Sequence, residues 1–460
     1  MPKLATVYAC TECGGETPRG AGQCPHCRTW NTLQEFKPVH AAGRSRQPST
    51  SAQPVSIVGM AGVSAPRLRL GWSEVNRVLG GGLVKGSLVL IGGEPGIGKS
   101  TLLMHVAHQV AAAGGSVLYA TGEESAEQVR LRAARLDALH PGILLLAEND
   151  LDSMVEVISA AAPAVAIVDS IQTVSDATLG SAAGTVTQVR EGAARLMRLA
   201  KASGTPIVLV GHVTKEGSIA GPRVLEHIVD TVLYLEGDRQ LDLRVLRATK
   251  NRFGSTDEVG LFAMGDGGLR QVEDASSFLL ADSSSQAGGS VVLATVEGTR
   301  PLLVELQSLV VETSFGMPRR VANGVDANRL HMIVAVVEKR ARLPLRTSDI
   351  FVNVAGGMMV REPAADLGLA LAIIGNKEGQ PLPPQTVVFG ELGLMGEVRK
   401  VGQVDRRLAE AARHGFTRAL IPAGNTVNRD AGIETIPVRH LEEAMASLLE
   451  PGRAGLMATS

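Results

Sequence analysis

The sequence predicts an α/β nucleotide-binding core that lies between a small metal-binding module and a second, α+β domain. Three observations support this prediction: four cysteines close to the start, an apolar strand that enters a glycine-rich loop and a helix, and new strands and helices beyond a Ser/Gly-rich linker. A chain of 460 residues has room for about three domains. The boundaries we expect are 1–36 for the metal module, 37–65 for a linker, 66–280 for the core, 281–290 for a second linker and 291–460 for the last domain.

The composition is that of a folded protein that is neither secreted nor embedded in a membrane. Hydrophobic residues make up 45% and charged residues 20% of the chain. No apolar stretch approaches the ~18 residues of a membrane helix, and the start has no signal-peptide core, so we expect a cytoplasmic protein without membrane contact. The net charge of −1 gives no argument for nucleic acid, so such an argument has to come from local patches.

All four cysteines lie in the first 27 residues, as two Cys-x-x-Cys pairs. Two tight turns of this kind present four thiolates tetrahedrally to one Zn²⁺, and a module this short needs the metal to fold. Two local disulfides or a redox-active pair are the alternatives, and the absence of an export signal disfavours the disulfides. The predicted zinc ligands are Cys10, Cys13, Cys24 and Cys27.

A phosphate-binding loop is predicted where the strand Leu88–Ile91 runs into a glycine-rich turn. The turn matches G-x-x-x-x-G-K-[ST] at each fixed position, and a helical pattern follows it. Lys99 is expected to reach the β- and γ-phosphates of ATP and Ser100 to ligate Mg²⁺. The alternative is a glycine-rich turn that happens to precede a helix. The predicted nucleotide-binding residues here are Gly93, Glu94, Pro95, Gly96, Ile97, Gly98, Lys99, Ser100 and Thr101.

Other candidate site residues follow the neighbouring predicted strands. Asp169 closes the apolar run 164–168, where a magnesium-side carboxylate belongs, although it could simply cap the strand. Glu123 and Glu124 follow the strand 116–122, and we favour Glu123 as the general base because Glu124 could merely begin the next helix. His212 ends a later strand and is a candidate γ-phosphate sensor or a packed histidine.

The strand, phosphate loop, acidic pair and antiparallel closing strands together resemble the core of RecA/DnaB-type ATPases. With the four cysteines and the segment Lys250–Gly254 (KNRFG), the resemblance becomes specific to the RadA (Sms) family of bacterial DNA repair proteins and covers nearly the whole chain. It implies that Lys250 and Arg252 act across a subunit interface on a neighbour's ATP or on DNA. The alternative is a basic strand edge, in which alternation places Arg244 on the same face as Lys250 and Arg252 and Arg247 on the other.

The last domain resembles the catalytic domain of Lon proteases, without the serine–lysine dyad. Ala364 stands where the resemblance implies the serine, and Asp405 where it implies the lysine. Without a hydroxyl and its base, acyl transfer has no nucleophile, so we expect an inactive protease domain that serves assembly and DNA binding.

The resemblance implies an ATP-dependent motor of homologous recombination and DNA repair. Such a motor is a hexameric ring on single-stranded and branched DNA that promotes branch migration of strand-exchange intermediates with the RecA recombinase, and its cofactors are ATP, Mg²⁺ and Zn²⁺. Lys215 and Arg223, in the loop after His212, are candidate DNA contacts or part of a plain surface loop. The alternative function is an ATP-switched regulatory or scaffold ATPase of the KaiC type, which the KNRFG segment and the cysteines disfavour.

Overall fold

The described residues of this computed structural model are 7–10, 16–26, 28–36, 67–211, 225–237, 243–281, 288–314, 316–428 and 432–446. The chain divides into two compact units, Met1–Glu236 with Arg244–Gln271 and Gly237–Leu243 with Val272–Ser460. Within the described ranges, no helix is long and apolar enough to cross a membrane.

The first unit contains a three-stranded amino-terminal sheet and a nucleotide-binding core. Its helices are α1 (Ser73–Leu79), α2 (Lys99–Ala112), α3 (Ala126–Arg135), α4 (Leu151–Ala161) and α5 (Val186–Ser203). Its strands are β1 (Val7–Cys10), β2 (Glu16–Thr17), β3 (Leu33–Phe36), β4 (Arg67–Leu68), β5 (Leu83–Val84), β6 (Leu88–Gly92), β7 (Val117–Thr121), β8 (Ile143–Ala147), β9 (Val165–Asp169), β10 (Ile207–Val210), β11 (Thr231–Glu236), β12 (Leu243–Asn251), β13 (Val259–Gly265) and β14 (Gly268–Gln271).

The core is built on a nine-stranded sheet in the order β14-β13-β12-β11-β6-β10-β9-β7-β8. Strands β11, β6, β10, β9, β7 and β8 run parallel, whereas β12 is antiparallel to β11 and β14 to β13. The central parallel strands are continuous apolar runs because helices cover both faces, which gives two separate apolar cores. The predicted parallel sheet with antiparallel closing strands is therefore confirmed, and β6, β10, β9 and β7 end at one common edge.

The second unit is an α+β fold on a seven-stranded sheet in the order β17-β18-β16-β15-β19-β22-β23. Its strands are β15 (Ser290–Glu297), β16 (Arg300–Glu312), β17 (Arg320–Asn323), β18 (Ser348–Val354), β19 (Thr386–Val388), β20 (Glu391–Leu392), β21 (Val398–Arg399), β22 (Arg418–Pro422) and β23 (Glu434–Val438). Its helices are α6 (Ala275–Leu280), α7 (Ala327–Arg340), α8 (Asp366–Glu378), α9 (Val404–Arg413) and α10 (Leu441–Ala446).

Helix α6 lies in the second unit, although we expected the nucleotide-binding core to extend to residue 280. The Ser276 hydroxyl accepts a hydrogen bond from the backbone N–H of Leu303 (3.1 Å) and donates to Glu410 (2.6 Å). Leu279 is buried. A six-residue helix has too few local hydrogen bonds to be stable alone, so these contacts decide which unit it joins.

A buried ion pair joins α7 to the start of α8. The Arg329 guanidinium donates to both oxygens of Asp366, with Nη2 2.5 Å from Oδ2, and the Leu392 N–H donates to the same carboxylate. Asp366 is only 1% exposed, and burial raises its pKa although Arg329 opposes the shift. The carboxylate is tolerated because it is paired on every accessible side.

We expect Arg329→Met to destabilise the second unit by about 3–5 kcal/mol, because the buried Asp366 carboxylate loses its counter-ion. The measurement is urea unfolding of the full chain, with hydrogen exchange of the α8 amides as the reporter of this unit. The control is Arg346→Met, since the Arg346 side chain is 87% exposed in its pair with Glu338 and should contribute less than about 1 kcal/mol. Equal losses in the two variants would contradict the prediction.

Candidate functional site

Two of the four cysteines lie in the described part of the amino-terminal sheet. Cys10 ends β1 and is 3% exposed, with its Sγ 3.2 Å from Thr32 Oγ1, and Cys24 is fully buried. The Arg28 N–H donates to the Cys24 carbonyl (2.8 Å), which closes the tight turn that a Cys-x-x-Cys knuckle requires. Cys13 and Cys27 lie outside the described residues. Buried thiols at a strand end and in a knuckle turn are a donor set that fits Zn²⁺.

The glycines of the phosphate loop are required by its backbone. Gly93 and Gly98 have φ angles of 153° and 113°. A Cβ on Gly93 would lie 2.6 Å from the Leu235 carbonyl oxygen, and one on Gly98 would lie 3.0 Å from the Met264 side chain. The loop therefore packs tightly on β11 and β13, with its exposed part at 94–96. Its backbone is shaped to accept an anion at the start of α2.

Two buried cationic side chains donate hydrogen bonds to carbonyl groups of this loop. Lys99 Nζ donates to the carbonyls of Gly93 and Glu94, at 2.9 Å each, and the residue is 4% exposed. Arg244 is also 4% exposed, and its Nε donates to the Ile97 carbonyl at 3.3 Å. Ser100 and Thr101, on the first turn of α2, are half-buried. The positive charge lies where triphosphate oxygens would be held.

The basic residues of β12 do not share one face. The alternative interpretation of this segment places Arg244, Lys250 and Arg252 together by strand alternation. The pairing of β12 with β11 skips Thr249, since Ala248 lies opposite Leu233 and Lys250 lies opposite Val232. This bulge interrupts the alternation, so Lys250 leaves the face that carries Arg244, Leu246 and Ala248. Arg244 is buried under the phosphate loop, and Arg247 pairs with Glu236 at 3.1 Å. The alternative in which Arg244 and Lys250 share one face of β12 is wrong.

Asp169 belongs to a buried polar network at the end of β9. The Tyr119 hydroxyl donates to Asp169 Oδ2 at 2.5 Å, and Arg132 donates to the same hydroxyl at 3.1 Å. Arg132 Nη1 also lies 2.6 Å from a Glu124 oxygen. Burial, with the adjacent Asp169 charge, holds the pKa of Tyr119 well above its ordinary value, so the hydroxyl stays a donor. The network fixes the Asp169 carboxylate at the edge where the phosphate loop begins.

The two adjacent glutamates have different partners. Glu124 is paired with Arg132 and is partly buried, whereas Glu123 is exposed and accepts a short hydrogen bond from the Ser170 hydroxyl. Ser170 directly follows Asp169, so Glu123 is held beside the predicted magnesium-side carboxylate. The two carboxylates therefore differ in exposure and in the side chains that donate to them.

Lys250 and Arg252 lie at the opposite edge of the sheet from the phosphate loop. Lys250 Nζ donates to the carbonyls of Glu226 and Val229, and Arg252 pairs with the buried Asp230 at 3.3 Å. Asp230 also accepts from the N–H of Leu88, the first residue of β6. The five residues of β6, about 16 Å at roughly 3.3 Å per residue, therefore separate this segment from its own loop.

Burial and the neighbouring Arg252 charge lower the pKa of Lys250. The Arg252 side chain is 56% exposed, so a cation is presented to solvent at this edge. The loop candidates His212, Lys215 and Arg223 lie outside the described residues.

In the second unit, the positions matching a serine–lysine dyad carry no nucleophile and no amine. Ala364 is 4% exposed, and Asp405 lies at the surface, where it accepts from the Asn428 N–H at 3.1 Å. Close by in the sequence, Arg407 and Glu362 form a bidentate pair with both distances 2.7 Å. A buried ion pair fixes this region in one arrangement.

Several of these residues were missed by sequence reasoning. Tyr119 and Arg132 had no motif around them, and their partners Asp169 and Glu124 are 50 and 8 positions away. Tyr119 sits in an apolar strand, which predicts a core aromatic. A tyrosine rather than phenylalanine in a fully buried strand was the available signal, because its hydroxyl needs a partner.

Comparisons with known proteins match each part of this architecture. Family models match residues 8–35 (rubredoxin metal binding domain), 67–218 (AAA domain) and 321–425 (subunit ChlI of Mg-chelatase). The DNA repair protein RadA of Bacillus subtilis is 47% identical over 456 residues, 98% of this chain and 100% of that protein. The RadA proteins of Pseudomonas aeruginosa and Aquifex aeolicus are 47% and 44% identical, over 98% and 97% of this chain and 100% of each.

These matches confirm the predicted fold class: a four-cysteine zinc module, a RecA-like P-loop core and a Lon-like α+β domain. They also confirm the resemblance on which that prediction depended, since similarity of this degree extends over nearly the full length of both chains. The chain belongs to the RadA family of DNA repair proteins.

Proposed function

We propose that this protein is a DNA-dependent ATPase that acts as a motor in homologous recombination and DNA repair. The observation that carries the proposal is the common edge of β6, β9 and β7. The glycine loop with Lys99 follows β6, Asp169 ends β9 and Glu123 follows β7, all at this edge. Phosphoryl transfer needs these parts together: a cradle for the phosphates, a magnesium-side carboxylate and a base.

In this proposal, the role of each residue follows from its position. The backbone N–H groups of the loop and Lys99 hold the β- and γ-phosphates of ATP, and Arg244 supports the loop through the Ile97 carbonyl. Ser100 and Asp169 fit Mg²⁺, which would supply charge neutralisation on the transferred phosphoryl group. Tyr119 keeps Asp169 oriented toward the loop. The four cysteines hold Zn²⁺, whose role is to fold the amino-terminal module.

Glu123 is the general base in this proposal. It lies next to Asp169 through Ser170, and it is accessible to water, whereas Glu124 is held by Arg132. The pairing with Arg132 therefore gives two chemically identical side chains different roles in this proposal: Glu123 is the base, and Glu124 has a structural role.

Lys250 and Arg252 act in trans on the nucleotide of a neighbouring subunit. They lie at the edge of the sheet opposite their own phosphate loop, so a head-to-tail ring is the arrangement that brings them to an ATP molecule. We propose a homo-hexamer, in which these cations stabilise charge that develops on the γ-phosphate.

The relatives are named DNA repair proteins, which favours single-stranded and branched DNA as the partner. We propose branch migration of strand-exchange intermediates together with the RecA recombinase in the cytoplasm. Lys215 and Arg223 would be among the DNA contacts, and the second unit would be a proteolytically inactive scaffold. An ATP-switched regulatory ATPase of the KaiC type is the alternative, and the KNRFG segment and the four cysteines favour the motor.

We expect single-stranded DNA to stimulate steady-state ATP hydrolysis severalfold, and Lys99→Ala to abolish both the basal and the stimulated rate. The stimulation should fall steeply with salt because it depends on phosphate contacts. Lys85→Ala, an exposed lysine outside the phosphate loop, is the control. A slow rate that is indifferent to DNA would replace the motor with the KaiC-type switch.

We expect Glu123→Gln to lower kcat for ATP hydrolysis by about 10²–10⁴-fold with ATP binding retained, because general-base catalysis is lost. Glu124→Gln removes only the partner of Arg132, so its kcat should fall far less. Single-turnover hydrolysis and binding of a fluorescent ATP analogue measure the two steps. The reverse order of the two variants would make Glu124 the base.

Mixing two inactive variants tests the action in trans. Arg252→Ala subunits keep an intact phosphate loop, and Lys99→Ala subunits keep an intact Arg252. In a randomly mixed 1:1 ring, about a quarter of the interfaces combine both intact parts, so hydrolysis should reappear. If each variant stays inactive in every mixture although the subunits exchange, the residues act within their own subunit.

A further inference from the structure

The segment after β9 carries a glutamine that none of the roles above uses. Gln172 lies three residues beyond Asp169, and both polar atoms of its carboxamide are buried. Within the described ranges, neither Nε2 nor Oε1 has a hydrogen-bond partner. An unsatisfied buried amide opposes folding, so a ligand that pairs with both atoms would relieve a cost that the protein carries by itself.

The carboxamide lies on the side of β9 that faces the phosphate-loop strand. A Cβ on Gly211, at the end of β10, would lie 3.8 Å from Gln172 Nε2 and 4.0 Å from the Ile91 carbonyl oxygen. Strand β10 lies between β9 and β6. Gln172 therefore extends across the end of β10, toward the strand from which the phosphate loop emerges.

The side chains of its neighbours Thr173 and Ser170 lie on the opposite side, toward β7. A Cβ on Gly122, which precedes Glu123, would lie 2.7 Å from Thr173 Oγ1, so Thr173 packs on the β7 side. The Ser170 hydroxyl also reaches that side and donates to Glu123. The short segment 170–173 thus extends from the proposed base to the phosphate-loop strand, with Gln172 on the phosphate side.

We infer that Gln172 is a further catalytic residue, whose carboxamide binds the γ-phosphate of ATP and the attacking water at the same time. A carboxamide has a donor and an acceptor, so Nε2 can donate to a γ-phosphate oxygen while Oε1 accepts from the water. A carboxylate could not donate, and a lysine or arginine could not accept. Being neutral, Gln172 competes with neither Glu123 for the proton nor Asp169 for Mg²⁺.

The step balances with groups already named. The water oxygen forms a bond to the γ-phosphorus as the bond to the β–γ bridging oxygen breaks, and ADP leaves with that electron pair. The water proton passes to Glu123, and inorganic phosphate is the second product. Gln172 stays unchanged and aligns the water with the bond that breaks, which is the contribution of orientation to the rate.

This inference rests on the proposed ATP hydrolysis, and the test separates the two. The experiment uses the full-length protein and compares Gln172→Met with Gln109→Met, a glutamine farther along α2. Gln172→Met has a similar length and no hydrogen-bonding amide. We expect kcat to fall about 10²-fold, the loss typical of removing one preorganised donor, with the melting temperature equal or higher. The affinity for a fluorescent ADP analogue should not change.

Gln172→Asn is the second variant, because it keeps both groups on a shorter side chain. We expect the kcat of Gln172→Asn to lie between that of Gln172→Met and that of the parent protein. We expect Gln172→Met alone to bind ATP more weakly while its affinity for ADP stays the same. A parent protein that hydrolyses ATP, with both Gln172 variants at the parent rate, would overturn this inference and leave the proposed function intact. A parent protein that does not hydrolyse ATP would overturn both.

Discussion

The parallel alignment of β6, β10, β9 and β7 is the constraint on which the rest of the site depends. Parallel strands end at one edge, so residues that are far apart in the sequence are brought to the same edge as the phosphate loop. The loop is tightly packed because Gly93 lies against Leu235 of β11 and Gly98 lies against Met264 of β13. The strands on this side of β6 thus do more than extend the sheet, because β11 and β13 restrict the backbone that would hold the phosphates.

Arg132 connects the sheet to the chemistry at that edge. Through Tyr119 it orients Asp169, and through Glu124 it neutralises one of two adjacent acids. Desolvation keeps the Tyr119 proton in place, so the network does not depend on which groups titrate near neutral pH. The difference between Glu123 and Glu124 therefore arises from one guanidinium on α3, not from the sequence around the glutamates themselves.

The features that the sequence predicted are those governed by local physics. Apolar runs predicted the buried parallel strands, and the glycine spacing predicted the loop, because backbone conformation restricts residue type directly. The features that it did not predict depend on distant partners. Nothing near Lys250 indicates that a bulge after Ala248 moves the residue to the opposite face from Arg244, and nothing near α6 shows that Glu410 and Leu303 draw it into the second unit.

Arg252 lies at the edge of the sheet opposite the phosphate loop of its own subunit. Asp230 anchors this arginine at the start of β6, and the length of that strand separates it from the loop that begins at Gly93. No side chain reaches across that distance within one subunit. The same separation makes the segment suitable for an interface, because a neighbour that approaches this edge with its phosphate loop meets an exposed cation already fixed by a buried carboxylate. In the proposed ring, assembly and hydrolysis would be coupled by geometry, because an isolated subunit lacks the cations that its neighbour would supply to the nucleotide.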